Sequence, residues 1–387
     1  MSTATESGGP TIGPGGTTSR AGTAPARELD QLDHLITVLR SGGGDDPRVA
    51  SQVGAVAAQW RRPPRIQVTG RAHAGRSTVL HALALMSAVE TAPVDEPDVA
   101  DPVLDADIVV YVLSGALLPA DRRILATLPS ERTVVVLNKA DAIGSRWADA
   151  VIAAEQYRAE LGILTLPVVA SLAVRTRAGA ITDADMATLR RLAATADPAL
   201  TLSPELFISP SAGPDVTERE QLLHRWDLYG VTSALVALRH DPELLPHALL
   251  QILHAASGID ALHGLLHRRY EQVSSLRGGE LLDELDRLAA RALPGDGGNA
   301  RNVLEDYLFG DDARWMGLRA GLACPEVAHL AAGYPAPAPA DADDALARAA
   351  RWRAVVSSDM PPAARRAALR VHNGYIRQWE RMSSAGL

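Results

Sequence analysis

Two short stretches carry residue types and spacings suited to holding a ligand. The first is Val134-Val135-Val136-Leu137-Asn138-Lys139-Ala140-Asp141, an apolar run that ends in Asn-Lys-x-Asp. In such a turn the Asp141 carboxylate can accept two hydrogen bonds from the edge of a guanine base, Asn138 can brace the loop, and the Lys139 stem can lie on the ring. Lys139 is the one lysine among 387 residues; the other members of the Lys/Arg set are all Arg. The second stretch is Gly70-Arg71-Ala72-His73-Ala74-Gly75-Arg76-Ser77, which fits Gly-x4-Gly-Lys-Ser/Thr except for Arg76 at the lysine place. Its backbone N–H groups would cradle phosphates, the dipole of the following helix would favour their charge, and the Ser77 hydroxyl would bind Mg2+. Lysine serves there as a compact point charge. The planar Arg fork is longer and bulkier, so Arg76 alters the phosphate chemistry. Each stretch also has a plainer reading: a Gly-rich strand-to-helix turn with no ligand, and a surface turn in which Asp141 caps a helix.

The elements around these motifs fit a nucleotide fold. Residues 65–69 read as a strand running into the Gly-rich loop and 77–89 as the helix behind it, the context a phosphate loop requires. Apolar strands follow at 108–113, 133–137 and 164–169, with helical patterns at 121–128 and 148–161 between them. Strands alternating with helices imply a parallel sheet, and continuous apolar runs imply strands covered on both faces. After about residue 174 the strand signal ends and the pattern is helical, interrupted by Pro, Gly and Ser at 209–214 and by a Pro/Ala linker near 334–340. Upstream, Leu29, Leu32, Leu35, Ile36 and Leu39 recur at helical spacing, Gly42-Gly43-Gly44 breaks that helix, and Asp46-Pro47 starts another reaching about Trp60. The expected organisation is a disordered tail at 1–26, N-terminal helices at 27–62, an α/β domain at 63–175, and a helical domain at 176–387 against which the N-terminal helices pack.

Composition narrows the function classes. A net charge of -8 argues against a nucleic-acid binder that relies on phosphate neutralisation. A hydrophobic fraction of 47% is ample for buried cores. One cysteine, Cys324, rules out an internal disulfide framework and a Cys-based zinc site, which suits a reducing cytoplasm. No stretch approaches the ~20 apolar residues of a membrane span, and the N-terminus lacks the charged start and apolar run of a signal peptide.

With these motifs in order, the chain resembles the dynamin-like and related Ras-type GTPases, especially the actinobacterial dynamin-like kind. Asp95-Glu96-Pro97-Asp98 is similar to their Asp-Thr-Pro-Gly motif, Asp107-Ile108-Val109-Val110-Tyr111-Val112 to the strand after it, and Leu166-Pro167-Val168-Val169-Ala170-Ser171-Leu172-Ala173 to the loop that closes over the base. Trp226-Asp227-Leu228-Tyr229-Gly230-Val231 and Ala256-Ser257-Gly258-Ile259-Asp260-Ala261-Leu262 are similar to pieces of the helical half of those proteins. The resemblance covers residues 65–175 well and the remainder weakly. It implies a P-loop GTPase-like parallel sheet flanked by helices, followed by an all-helical domain, with GTP or GDP and Mg2+ as ligands. The implied nucleotide contacts are Gly70, Gly75, Arg76, Ser77, Thr78, Asn138, Lys139, Asp141, Ala170 and Ser171, with Ser77 and Asp95 toward Mg2+.

The departures point away from hydrolysis, and no catalytic residue is assigned. Asp98 stands where the family's Gly amide would touch the γ-phosphate, and a carboxylate there opposes that charge. Only the 16 residues 79–94 separate Thr78 from Asp95, most of them taken by the expected helix, which leaves no room for the switch loop and its Mg2+-binding Thr. Residues 95–101 could instead be a solvated acidic turn. His254, His263 and His267 share a helical face in part, with packing the plainer account. Arg348, Arg351, Arg353, Arg365, Arg366, Arg370, Arg377 and Arg381, interleaved with Trp352, Tyr375 and Trp379, could meet anionic lipid or an acidic partner, or could pair within the protein. The expectation is a degenerate GTPase-like protein that binds guanine nucleotide with weak or absent hydrolysis and acts through protein or peripheral membrane contacts, a related GTPase among the partners. The alternatives are an active dynamin-like GTPase and a nucleotide-free scaffold that partners a true GTPase.

Overall fold

The computed structural model describes residues 24–43, 46–195, 198–213, 215–292, 299–334, 336 and 338–384. Most of the tail expected at 1–26 falls outside these residues, as do Gly44, Pro214 and positions 335 and 337 of the Pro/Ala segment.

Two helices come first, α1 (Ala24–Ser41) and α2 (Asp46–Trp60). The α/β part runs β1 (Ile66–Gly70), α3 (Arg76–Leu83), β2 (Ala88–Glu90), β3 (Ile108–Ser114), α4 (Pro119–Leu125), β4 (Thr133–Asn138), α5 (Trp147–Leu161), β5 (Thr165–Val168) and α6 (Ala170–Ala178). Helices follow: α7 (Asp183–Thr195), α8 (Pro204–Phe207), α9 (Val216–His240), α10 (Pro246–Ala256), α11 (Ile259–Arg291), α12 (Ala300–Phe309), α13 (Asp311–Ala323), α14 (Pro325–Ala328), α15 (Ala342–Val356) and α16 (Pro362–Ser384).

The five strands form one sheet in the order β2-β1-β3-β4-β5, every neighbouring pair parallel. Alternation along β3 and β4 divides its two faces. Val110, Val112, Val134 and Val136 belong to one core, while Tyr111, Leu113, Val135 and Leu137 belong to another with Leu125 and Ala154. Each such Val or Leu, fully withdrawn from water, contributes roughly 1.5–3 kcal/mol, so β3 and β4 are the strongest-held strands.

Two features differ from the sequence reading. The helix expected at 77–89 stops at Leu83, because Ala84 turns left-handed (φ 49°) and its N–H closes on Leu80 O; residues 88–90 then form the edge strand β2. The boundary near 175 also divides a shared core. Ile259, Leu262, Leu265 and Leu266 of α11 cover the sheet face that carries Val110 and Val134. The far half of the same 33-residue helix, through Leu281, Leu282, Leu285 and Leu288, packs with Leu32, Leu35, Val49 and Val53 of α1 and α2. One rod roughly 50 Å long therefore joins the sheet to the N-terminal helices. As expected, those helices pack on the helical region, and buried Asp46 fastens the contact by accepting from Asn299 N at 2.9 Å and Ala300 N at 2.8 Å, which caps α12.

Candidate functional site

In a parallel sheet of order 2-1-3-4-5, ligands bind beyond the carboxyl ends of the strands where the connections reverse direction, here between β1 and β3. The Gly70–Gly75 loop leaves β1 at that point. Both glycines are forced. A Cβ on Gly70 (φ 144°) would stand 2.3 Å from Val112 O, and one on Gly75 (φ 89°) would stand 2.3 Å from Asn138 Nδ2. Gly75 caps α3, whose first turn presents exposed Ser77 and half-buried Thr78.

Asn138 closes β4 and is buried. Its Nδ2 donates to Ala74 O at 3.0 Å and its Oδ1 accepts from Ala170 N at 3.2 Å, so one amide side chain ties the Gly-rich loop to the start of α6. Lys139 adopts the left-handed conformation (φ 56°), and its Nζ donates to His73 O at 2.9 Å. Gly70, Gly75, Asn138, Lys139 and Ala170 are thereby brought into one bonded unit, with Ser171 next on α6.

The cations near the loop are committed to protein acceptors. Arg76 turns onto the edge strand, where Nη1 donates to Thr91 O at 2.6 Å and Nη2 lies 3.5 Å from Glu90 Oε1; its side chain is 12% exposed. Arg71 Nε meets both oxygens of buried Asp121 at 3.1 Å. Asp121 also accepts from Tyr111 Oη at 2.8 Å and Leu118 N at 2.9 Å. Burial and the hydrogen bond to Asp121 push the Tyr111 phenol well above its ordinary range, so it stays a donor.

Asp95 follows Val94, whose N–H donates to Gly70 O at 3.1 Å, and so lies beside the loop as its place in the sequence implies. Its carboxylate, however, meets Arg123 at 3.1 Å, and its own N–H donates to Asp101 Oδ1 at 2.8 Å. Asp95 and Asp98 both adopt left-handed backbone (φ 57° and 62°). Of the two residues expected toward Mg2+, Ser77 is exposed on the loop helix while Asp95 is held by a guanidinium, and no group of three His, Cys, Asp or Glu residues suited to a metal occurs among the described residues. Of the two, only Ser77 is left without a charged protein partner.

At the other end of the crevice, Asp141 lies in the single 3-10 turn after Lys139. Surrounding protein and then the neighbouring Asp227 charge raise its carboxyl above the usual aspartate range, with Lys139 opposing. Asp227 comes from a break within α9, where it takes φ 54° and ψ 171°, and its carboxylate pairs with Arg175 of α6 at 3.0 Å. Tyr229, two residues on, donates to Ala256 O at 3.1 Å; burial and then the Asp141 charge raise its phenol. Neither a protein-family model nor a curated protein matches this chain. What the crevice can bind is therefore read from these contacts. Asp227, Tyr229 and Arg175 were absent from the expected site: Trp226-Asp227-Leu228-Tyr229 is visible as a sequence pattern, but no spacing tells that it returns to the 138–141 turn.

The remaining candidates divide between packing, pairs within the protein and exposed surface. His254 Nδ1 lies 2.8 Å from Thr176 Oγ1, His263 Nε2 is 3.1 Å from Leu83 O, and His267 is 3.2 Å from Glu271. In the C-terminal helices Arg348 pairs with Asp344 and stacks on Tyr334, Arg370 pairs with Asp283, and Arg377 and Arg381 face Asp311. Trp352 and Tyr375 are buried and Trp379 is partly so, while Arg353, Arg365 and Arg366 are exposed. No single helix among the described residues is long and apolar enough to cross a membrane.

Proposed function

We propose that this chain is a degenerate P-loop GTPase-like protein that binds guanine nucleotide, GDP at least as well as GTP, with little or no hydrolysis. The observation that carries this reading is the bridge made by Asn138 between Ala74 O and Ala170 N, with Lys139 on His73 O, because it couples the loop that would meet phosphates to the loop that would close over a base. Asp141, three residues after Asn138 and exposed, supplies the acceptor edge for guanine. Catalysis of phosphoryl transfer is almost wholly positioning of metal, water and counter-charge. Arg76 is withdrawn to Thr91 and Glu90, and Asp95 is taken by Arg123, which speaks against turnover.

Such a protein acts through contacts rather than chemistry, in the cytoplasm and on a protein partner such as a related GTPase. A membrane role is less favoured, given the internal pairing of Arg348, Arg370 and Arg377. The commitment of both Arg71 and Arg76 to protein acceptors supports one further reading, a nucleotide-free scaffold. Titrating labelled GDP, GTP and ATP with and without Mg2+ separates these. Guanine-selective binding, little affected by Mg2+ and with background phosphate release, is expected. Equal affinity for ATP and GTP would remove the guanine assignment, absence of all binding would favour the scaffold, and robust Mg2+-dependent hydrolysis abolished by Ser77→Ala would establish an active GTPase.

A further inference from the structure

The helical region carries a groove that takes no part in the nucleotide site. It lies where α11, α12, α13 and α16 meet and has a volume of about 650 Å3. Small residues give it depth: Ala313 and Gly317 on α13 keep the floor low, while Leu282, Leu308 and Leu369 supply apolar walls. Phe309, the last residue of α12, also lines it and is 65% exposed. No other Phe, Trp or Tyr of the chain is exposed, and Leu369 on the same groove is 45% exposed. An aromatic side chain left in water forgoes the gain of burying it, and an apolar patch rimmed by polar groups marks a contact surface.

The charges around the groove narrow what fits it. Arg301 is paired with Glu305 at 2.9 Å and Arg370 with Asp283 at 2.6 Å, so these groups are matched within the chain. Asp286, Arg314 and Arg366 line the same groove and make no ion pair among the described residues. Unmatched charge of both signs therefore stands on one apolar patch. A small apolar ligand would leave Phe309 and Leu369 wet and these charges unanswered, and a partner segment of a single sign would repel part of the set. A second copy of this chain, related by a two-fold axis, presents the same projection, the same recess and both signs of charge. That is the condition for an isologous contact.

We propose that this groove is the face through which two copies of the chain associate, each placing Phe309 in the recess of the other and setting Asp286 against Arg366 across the axis. The contact is separate from the nucleotide site and stands whether or not the guanine reading does. One groove with one aromatic anchor falls at the weak end of specific interfaces, so the dimer forms at roughly micromolar concentration.

Sedimentation of the full-length chain tests this. Between about 1 and 200 µM the weight-average mass should rise from that of one chain toward twice that value. Phe309→Ser removes the projection, and Ala290→Arg fills the recess from an exposed position on α11. Each should weaken self-association by about tenfold or more while leaving the thermal midpoint nearly unchanged, as surface substitutions do. Val236→Ser, at a similarly exposed apolar side chain on α9, should leave association unchanged. Asp286→Arg and Arg366→Asp should each be monomeric alone yet form a mixed dimer when combined, a result that a merely adhesive surface does not give. A parent that stays monomeric throughout overturns the proposal. So does a dimer that persists in Phe309→Ser and Ala290→Arg, or one whose charge-reversed chains fail to associate when mixed.

Discussion

In the nucleotide site proposed above, the end meant for the base has polar side chains that hold backbone: Asn138 joins the Gly-rich loop to the start of α6, and Lys139 adds a second tie to that loop through His73 O. At the phosphate end, the charged side chains hold one another: Arg76 with Glu90, Arg71 with Asp121, Arg123 with Asp95 and Asp101. The first arrangement leaves Asp141 free to receive a ligand. The second satisfies within the protein the charges that a triphosphate would otherwise satisfy. A ligand at the base end adds bonds, whereas one at the phosphate end has to compete with bonds already made.

The largest expected effect breaks the phosphate-end network. Asp121→Ala leaves the Arg71 guanidinium and the Tyr111 hydroxyl without their buried acceptor and should cost roughly 3 kcal/mol of stability, read as a lower urea midpoint at unchanged slope. Base preference in the folded fraction should not move. If it does, the two ends are coupled more tightly than their separate networks imply.

Asp141→Asn probes the base end. It exchanges an acceptor for a donor and should shift preference from guanine toward xanthine nucleotides by about 10- to 100-fold, measured by competition binding. In the parent, ligand donors require the ionised Asp141 carboxylate, whose proton affinity is raised by burial and by Asp227. Guanine binding should therefore weaken as pH falls, from a pH above the ordinary aspartate value of about 3.9, and the step should vanish in Asp141→Asn. The sign for folding is opposite: a carboxyl raised in the native state makes the fold lose stability as pH rises through that window.

How much of this was readable beforehand follows from what each residue answers to. β3 and β4 were legible because strands covered on both faces must be apolar throughout. β2 was not, since only three residues pair, Val89 is 62% exposed, and the helix before it ends at Ala84 rather than at a glycine. The Gly-rich loop and the 138–141 turn were legible as motifs because backbone sterics and bracing fix their residue types. The partner of Arg76 was not: Thr91 and Glu90 come within its reach only because residues 88–90 form an edge strand instead of the end of a helix. Asp227 was the least legible, because its position depends on how α9 breaks and returns to α6.

The smallest effect sharpens the comparison at Arg76. Lysine there keeps the charge but loses the planar reach to Thr91 O, so Arg76→Lys should raise GDP affinity by no more than a factor of about five, under ~1 kcal/mol. A much larger gain in calorimetry would mean that the edge-strand anchor, rather than the loop geometry, limits phosphate binding. Neither outcome should bring fast hydrolysis, because Asp95 remains with Arg123.

The reach of α11 also bears on how the chain is made. As the polypeptide leaves the ribosome, all five strands have been synthesised by Val168, but the helix that covers one of their faces begins at Ile259. For roughly ninety residues of synthesis that face of the nascent sheet is covered only by α3 and α6, and the part that Ile259, Leu262, Leu265 and Leu266 will cover stays open, the situation in which chaperones bind and neighbouring chains aggregate. A fragment ending at residue 175 would keep that part of the face open permanently, so the sheet should be recovered in folded form in better yield when α11 is made with it.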